Sequence, residues 1–358
     1  MKRNVTIICD LQFGSTGKGA AAGYFAINKK PDAVITAWSP NAGHTFVDAD
    51  GSKYVHRALA NGVVSPNLKF IMIAPGSILD LDRLKLELEY CSDLVENAIL
   101  VIHENAAILK DDHVKSEEKT MTGIGSTKKG SGAALIEKLQ RQIPDTITAN
   151  AHREQVLDKL HGLTGGIHVV NTRTWLGHLN MSRNILVEGA QGFSLGVNSG
   201  FYPYCTSREC TPAQIMSDTL ISRRRVKKVV GVMRTYPIRV ANRHDEDGNM
   251  VGYSGPCYMD QTEIQWRDIG FEPEMTTVTQ LPRRLFTFSS HQTEEALSVC
   301  APDEIWLSFC DYLSEDLAYQ MAYWINGMYK RIIGKGNGVR YMSFGPSVTD
   351  VRDTTDEI

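Results

Sequence analysis

Eight short runs rich in β-branched and aliphatic residues recur along the chain, at 5–9, 33–37, 70–74, 98–102, 167–170, 185–187, 229–232 and 305–307. Runs that short and that continuously apolar read as strands covered on both faces, the pattern of a parallel sheet. Amphipathic stretches lie between several of them, at 20–26, 78–91, 133–142 and 153–161, and predict βαβ units. The expected fold class is therefore α/β, with a mostly parallel central sheet flanked by helices. With 358 residues, 42% of them hydrophobic, the chain can bury a large core, and one domain over 1–358 with loop insertions is expected. Two polar stretches, 111–130 and 242–255, are expected to be long loops of the kind that cover sites.

A formal net charge of only -3 provides no global field for polyanions, so nucleic acid is not an expected partner and any nucleotide must be bound locally. The basic run Arg223-Arg224-Arg225-Val226-Lys227-Lys228 has no interleaved aromatic residue and reads as a solvated face. No window is apolar enough for a bilayer span, so no membrane role is expected. The seven cysteines are scattered and lack a Cys-x-x-Cys pair, and the first strand follows Met1–Asn4 without the apolar stretch of a signal peptide. A reducing cytoplasm is the expected location, that of the host cell if a phage encodes the chain.

The first strand ends at Cys9-Asp10, and Gln12-Phe13-Gly14-Ser15-Thr16-Gly17-Lys18-Gly19 precedes a helical stretch. A strand, a glycine-rich turn and a helix N-terminus form an anion site, because backbone N–H groups and the helix dipole converge there. The Walker spacing is absent: two residues separate Gly14 from Gly17-Lys18, and Gly19 follows the lysine. Asn41-Ala42-Gly43-His44-Thr45 places a histidine where it could act as a general acid. Gly125-Ser126-Thr127-Lys128-Lys129-Gly130-Ser131-Gly132 and Glu188-Gly189-Ala190-Gln191-Gly192 set hydroxyl, amide and backbone donors among glycines. In Thr276-Thr277-Val278-Thr279-Gln280-Leu281-Pro282-Arg283-Arg284, hydroxyls precede an arginine pair able to grip a carboxylate. Any one of these segments could be an ordinary surface loop.

In order along the chain they closely resemble the adenylosuccinate synthetases, a family with a P-loop-related fold. The match includes Asn41 to Thr45, Glu188 to Gly192, Tyr202-Pro203-Tyr204-Cys205-Thr206-Ser207, Leu307 to Asp311 and Ser343 to Pro346. The resemblance implies a ligase that phosphorylates O6 of a purine monophosphate and then displaces phosphate with the amine of L-aspartate. It implies His44, Gln191 and the residue at Ser15 as catalytic positions. Ser15, Asn41, Ser126, Thr127, Gln191, Thr206 and Leu281 fall at purine nucleotide positions, together with Arg141 from the partner of a homodimer. Thr277, Val278, Thr279 and Arg283 fall at aspartate positions. Gly14, Thr16, Gly17, Lys18, Gly19, Asp311, Ser343, Gly345 and Pro346 fall at positions for the nucleoside triphosphate, and the Gly43 carbonyl at a position for Mg²⁺.

Three departures from the family's pattern redirect the expected substrate. Ser15 stands where the family has the aspartate that removes the N1 proton of inosine monophosphate (IMP), and serine cannot be that base. A serine oxygen is smaller and can accept from a 2-amino group. Leu281 replaces an arginine that reaches the ribose 2′-hydroxyl, which favours a deoxyribose. Phe309 replaces a lysine beside the donor base while Asp311 is kept, leaving ATP, dATP and GTP all open as donors. These changes resemble a phage branch that makes 2-aminoadenylosuccinate from deoxyguanosine monophosphate (dGMP) for 2-aminoadenine DNA. The alternatives are an ordinary synthetase acting on IMP and a catalytically silent nucleotide-binding regulator. Water, substrate phosphate and Asp10 remain as candidate proton acceptors.

Overall fold

The computed structural model describes residues 4–121, 123–276, 280–336 and 338–355. Its centre is a ten-stranded sheet of β1 (Asn4–Asp10), β2 (Ala33–Thr36), β3 (Phe70–Ile73), β4 (Ile99–His103), β5 (Gly166–Val170), β6 (Asn184–Glu188), β7 (Val226–Arg234), β8 (Glu304–Ser308), β9 (Val339–Ser343) and β10 (Val351–Asp353). The spatial order is β10-β9-β8-β7-β1-β6-β2-β3-β4-β5, and every pairing is parallel except β9 with β10. The eight apolar runs read from the sequence are β1 to β8. β9 escaped that reading because Arg340 interrupts its apolar run, and β10 because its three residues, Val351-Arg352-Asp353, include only one apolar side chain. Arg340 is tolerated in β9 because Glu304 and Asp353 accept from its guanidinium at 2.6 and 3.1 Å.

Alternation along β1 divides the core between the two faces of the sheet. Ile8 packs with Ala22, Phe25, Val34 and Trp306 on one face, whereas Val5, Ile7 and Cys9 pack with Ile35, Trp175 and Leu307 on the other. Helix α1 (Lys18–Lys29) lies on the first face against the hairpin His44–Val47/Lys53–His56. Gly19 permits that approach, since a Cβ there would sit 2.6 Å from the Thr45 carbonyl oxygen.

Helix α2 (Leu81–Tyr90) is shorter than expected: Ile78–Leu79 instead pair with Ala107–Ile108. The expected loop over 111–130 is helical in its first half, α3 (Asp111–Thr120), and its second half is the loop that leads to α4 (Ser131–Gln140). The polarity of the first half reflects a mostly solvent-facing helix, of which only His113 and Glu117 are buried. The stretch 242–255 carries a small hairpin, Arg243–His244 with Met250–Gly252. Among the described residues no helix is long and apolar enough to cross a membrane.

Candidate active site

The chain leaves β1 and turns back at its carboxyl end, with β6 and β7 on either side, and sheets of this class open a crevice at such a point. Here the crevice is a cleft of about 640 Å³. Segments leaving the carboxyl ends of β1, β2, β6, β7, β8 and β9 all reach it. They contribute Ser15, Asn41, Gln191, Arg239, Phe309 and Gly345 respectively. Segments far apart in sequence therefore meet because parallel strands deliver all their outgoing loops to one edge.

Asp10 organises the glycine-rich turn. It is 1% exposed and accepts from the Gln12 and Gly14 backbone N–H groups at 2.8 and 3.2 Å, from Thr16 Oγ1 at 2.5 Å and from Lys18 Nζ at 2.7 Å. Four donors and no access close it off as a proton acceptor, removing one of the three candidates. Thr16 is fully buried against Asp10, and its carbonyl accepts from Ser308 Oγ at 2.6 Å, so its side chain shapes the turn and does not line the cleft. Gly192 closes the turn from β6, where a Cβ would stand 2.4 Å from Asp10 Oδ1. Gly14, Ser15, Gly17, Lys18 and Gly19 line the cleft. Ser15 is exposed into it with a left-handed backbone, φ 53°.

Facing this turn, the hairpin beside α1 presents His44. Its ring is buried, with Nδ1 2.6 Å from Glu188 Oε1 and its centroid 4.2 Å from that of Trp38. Burial pushes the imidazole pKa below its ordinary value, and the Glu188 carboxylate opposes that shift. Glu188 also accepts from the Asn61 backbone N–H at 2.8 Å, which fixes the carboxylate and through it the ring. With Nδ1 committed to Glu188, Nε2 is the nitrogen left for a ligand.

The remaining walls assemble as follows. Asn41, Gly43, Ser126, Thr127, Gln191 and Thr206 line the cleft, as do Arg283, Asp311, Ser343, Gly345 and Pro346. Burial lowers the Arg283 pKa, against the opposing pull of Glu274. Arg284 is not its companion in gripping a ligand: its Nε and Nη2 donate to Glu263 at 2.8 and 2.6 Å, which leaves the guanidinium tied down. Leu281 is half-buried beside the cleft, its backbone paired with Thr276 at 2.9 and 3.0 Å. Thr277, Val278 and Thr279 lie outside the described residues. Arg141 follows α4 and lies in a separate depression with Lys138, Asp145 and Asp218, away from this chain's own cleft. In the basic run, Lys228 pairs with Glu304 at 2.5 Å and Arg225 donates to the Leu179 carbonyl.

Four charged residues in or beside the cleft carried no motif: Glu117, Arg234, Glu274 and Arg239, whose Nε donates to the Ser254 carbonyl at 2.8 Å. Glu117 of α3 accepts from the Gly130, Gly132 and Ala133 N–H groups at 2.8, 2.6 and 3.3 Å, capping α4 and holding the loop that bears Ser126 and Thr127. Arg234, at the end of β7, pairs with Glu274 beneath Phe309. Only a helical period through 111–120 could have flagged Glu117; nothing local to Arg234 or Glu274 marks them.

The fold and this cleft define a nucleotide-binding α/β protein of the synthetase class, and the family model of adenylosuccinate synthetase matches residues 7–164 and 142–337. The chain belongs to the adenylosuccinate synthetase family. Within it, the chain is 48% identical to the N6-succino-2-amino-2′-deoxyadenylate synthase of Acinetobacter phage SH-Ab 15497, covering 98% of this chain and 94% of that one. It is similar to the structure of the cyanophage S-2L succinoaminodeoxyadenylate synthetase bound to dGMP and dATP as an energy donor. That match has a TM-score of 0.87 at 42% identity and covers 99% of this chain and 96% of the other. The adenylosuccinate synthetase of Plasmodium falciparum shares the fold, with a TM-score of 0.73 at 19% identity over 97% and 99% of the two chains.

Proposed function

We propose that this protein joins L-aspartate to C6 of dGMP with cleavage of a nucleoside triphosphate, giving N6-succino-2-amino-2′-deoxyadenylate, nucleoside diphosphate and phosphate. The observation that carries this reading is a neutral serine exposed at the cleft floor while the one carboxylate of the turn, Asp10, is sealed beneath it. A hydroxyl there accepts from a 2-amino group, whereas hypoxanthine leaves it without that donor. The phage synthases at 43 to 48% identity support the same substrate.

In the first step O6 of the base attacks the γ-phosphorus, the bond to the β-phosphate oxygen breaks, and the N1 proton leaves to water or substrate phosphate. His44 stabilises charge on the transferring group, and Gln191 holds the base near O6. In the second step the amine of aspartate attacks C6 and phosphate departs with its oxygen. Asn41, Ser126, Thr127 and Thr206 hold the acceptor nucleotide, with Arg141 of a partner copy in a homodimer. Leu281 lies beside the sugar and gives a 2′-hydroxyl no partner. Thr277, Val278, Thr279 and Arg283 take aspartate. Gly14, Gly17, Lys18 and Gly19 cradle the triphosphate over a turn braced by Thr16, while Asp311, Ser343, Gly345 and Pro346 surround its base.

Phe309, in place of a lysine, favours dATP or ATP over GTP as donor, in keeping with the dATP bound to the cyanophage enzyme. Among the described residues no group of three or more His, Cys, Asp or Glu could hold a metal alone. The Gly43 carbonyl is a hard oxygen that suits Mg²⁺ carried by phosphates and water, where it would neutralise charge on the transferring group. Incubation with aspartate, Mg²⁺ and each pairing of dGMP, GMP or IMP with dATP, ATP or GTP tests the reading by product mass. The succinylated product should form fastest from dGMP with an adenine donor. IMP as the best acceptor would return the chain to ordinary adenylosuccinate synthesis.

A further inference from the structure

Arg234 is fully buried at the end of β7, yet its guanidinium reaches three segments that line the cleft. Both of its Nη groups donate to the Glu274 carboxylate, the Nη1 bond at 3.2 Å. Nη1 also donates to the Ser15 carbonyl at 3.1 Å, and the guanidinium carbon lies 3.8 Å from the centroid of the Phe309 ring. Tyr312 donates to the same carboxylate at 2.9 Å, and the Glu274 carbonyl accepts from the Arg283 N–H at 2.9 Å. The Gln12 side chain clamps the Arg234 backbone by two bonds of 2.9 and 3.1 Å.

Two features indicate that this pair does more than hold the fold. Arg234 is fully buried while the Glu274 side chain is 23% exposed at the cleft, and the desolvation of such a guanidinium offsets much of the attraction, so the pair adds little net stability against a well-packed apolar replacement. Ser15 and Phe309 both have left-handed backbones, φ 53° and 57°, an unfavourable conformation for residues with side chains. One guanidinium holds both, by the carbonyl of the first and the ring of the second.

We propose that Arg234, fixed by Glu274, is a positioning residue that sets Ser15 and Phe309 together, so that one ion pair at the cleft wall governs selection of both the acceptor base and the donor base. This rests on the reading that Ser15 faces the 2-amino group of the acceptor and Phe309 the donor purine. Arg234 acts through these residues and touches no substrate itself.

The test compares kcat/KM for dGMP and for 2′-deoxyinosine monophosphate, and KM for ATP, in the full-length wild type, R234K, E274Q and F309L, with thermal melts alongside. R234K keeps the charge without the planar fork, and E274Q keeps the shape without the charge. Both should reduce the preference for dGMP roughly tenfold and raise the ATP KM by a similar factor. F309L should raise the ATP KM alone. E274Q retaining both the acceptor ratio and the ATP KM within about twofold of wild type would overturn the proposal. So would a uniform fall in kcat with neither selectivity altered, the mark of a merely structural role. If R234K does not fold, the near-isosteric E274Q decides. A wild type with no preference for dGMP sinks the reading of Ser15 instead, and the ATP KM of E274Q still tests whether the pair positions Phe309.

Discussion

At the residue scale the site depends on which polar groups are already committed and which are left for a ligand. Asp10 and Glu188 are both buried carboxylates at strand ends, but Asp10 is used up by four donors whereas Glu188 orients His44. His44→Ala should leave the protein folded and lower kcat by about 10²- to 10³-fold, the usual loss when a donor to transition-state charge is removed. Steady-state rates with a thermal melt check this, and near-normal turnover would take His44 out of the mechanism. Because burial lowers the His44 pKa and Glu188 opposes it, Glu188→Gln should lower it further. A general acid is lost as pH rises through its pKa, so the alkaline limb of kcat should move to lower pH in that variant. Arg283→Ala should raise the aspartate KM roughly 10- to 100-fold, the loss of a charge-assisted pair, with nucleotide binding nearly unchanged. Weaker nucleotide binding at an unchanged aspartate KM would mean that the carboxylate is gripped elsewhere.

At the scale of elements, polarity alone does not separate the two halves of the stretch 111–130. Its second half is a loop that lines the cleft, as expected, but its first half is α3, which brings one carboxylate, Glu117, under the three N–H groups at the start of α4. An anion at a helix N-terminus meets both the unpaired donors and the dipole. Glu117→Ala should cost about 1 to 3 kcal/mol of stability and raise the KM for the acceptor nucleotide, since the loop with Ser126 and Thr127 loses its anchor. A destabilised variant with an unaltered acceptor KM would show that this loop does not bind the nucleotide. The antiparallel set Ile238–Arg239, Arg284–Phe286 and Glu263–Ile264 has a comparable use. It spends Arg284 on Glu263 and leaves Arg283, one residue earlier, at the cleft.

At the scale of the whole molecule, burial of imidazoles sets an acid limit on stability. Burial pushes His56 and His103 down to about 4, against an ordinary value of 6.5. With folded values depressed, their contribution is fully present above pH 6.5 and is lost as pH falls toward 4, where the unfolded chain takes up protons that the fold refuses. Melting temperature should therefore decline from about pH 6.5 downward, and His56→Gln or His103→Gln should flatten the decline. An unchanged slope in both variants would assign the acid limit to other groups. By itself the sequence determined the eight apolar strands, the glycine-rich turn, the His44 segment and the family, because strand periodicity and short motifs are local properties. It also supplied Ser15, Leu281 and Phe309 as departures from a known pattern. Only the tertiary structure decided that Asp10 is sealed, that Arg284 is spent on Glu263, and that Glu117 caps α4. It likewise joined Arg234 to Glu274, 40 residues apart, and to Ser15, 219 residues apart. Contacts at such separations follow from the order in which parallel strands lie side by side, which no local pattern records.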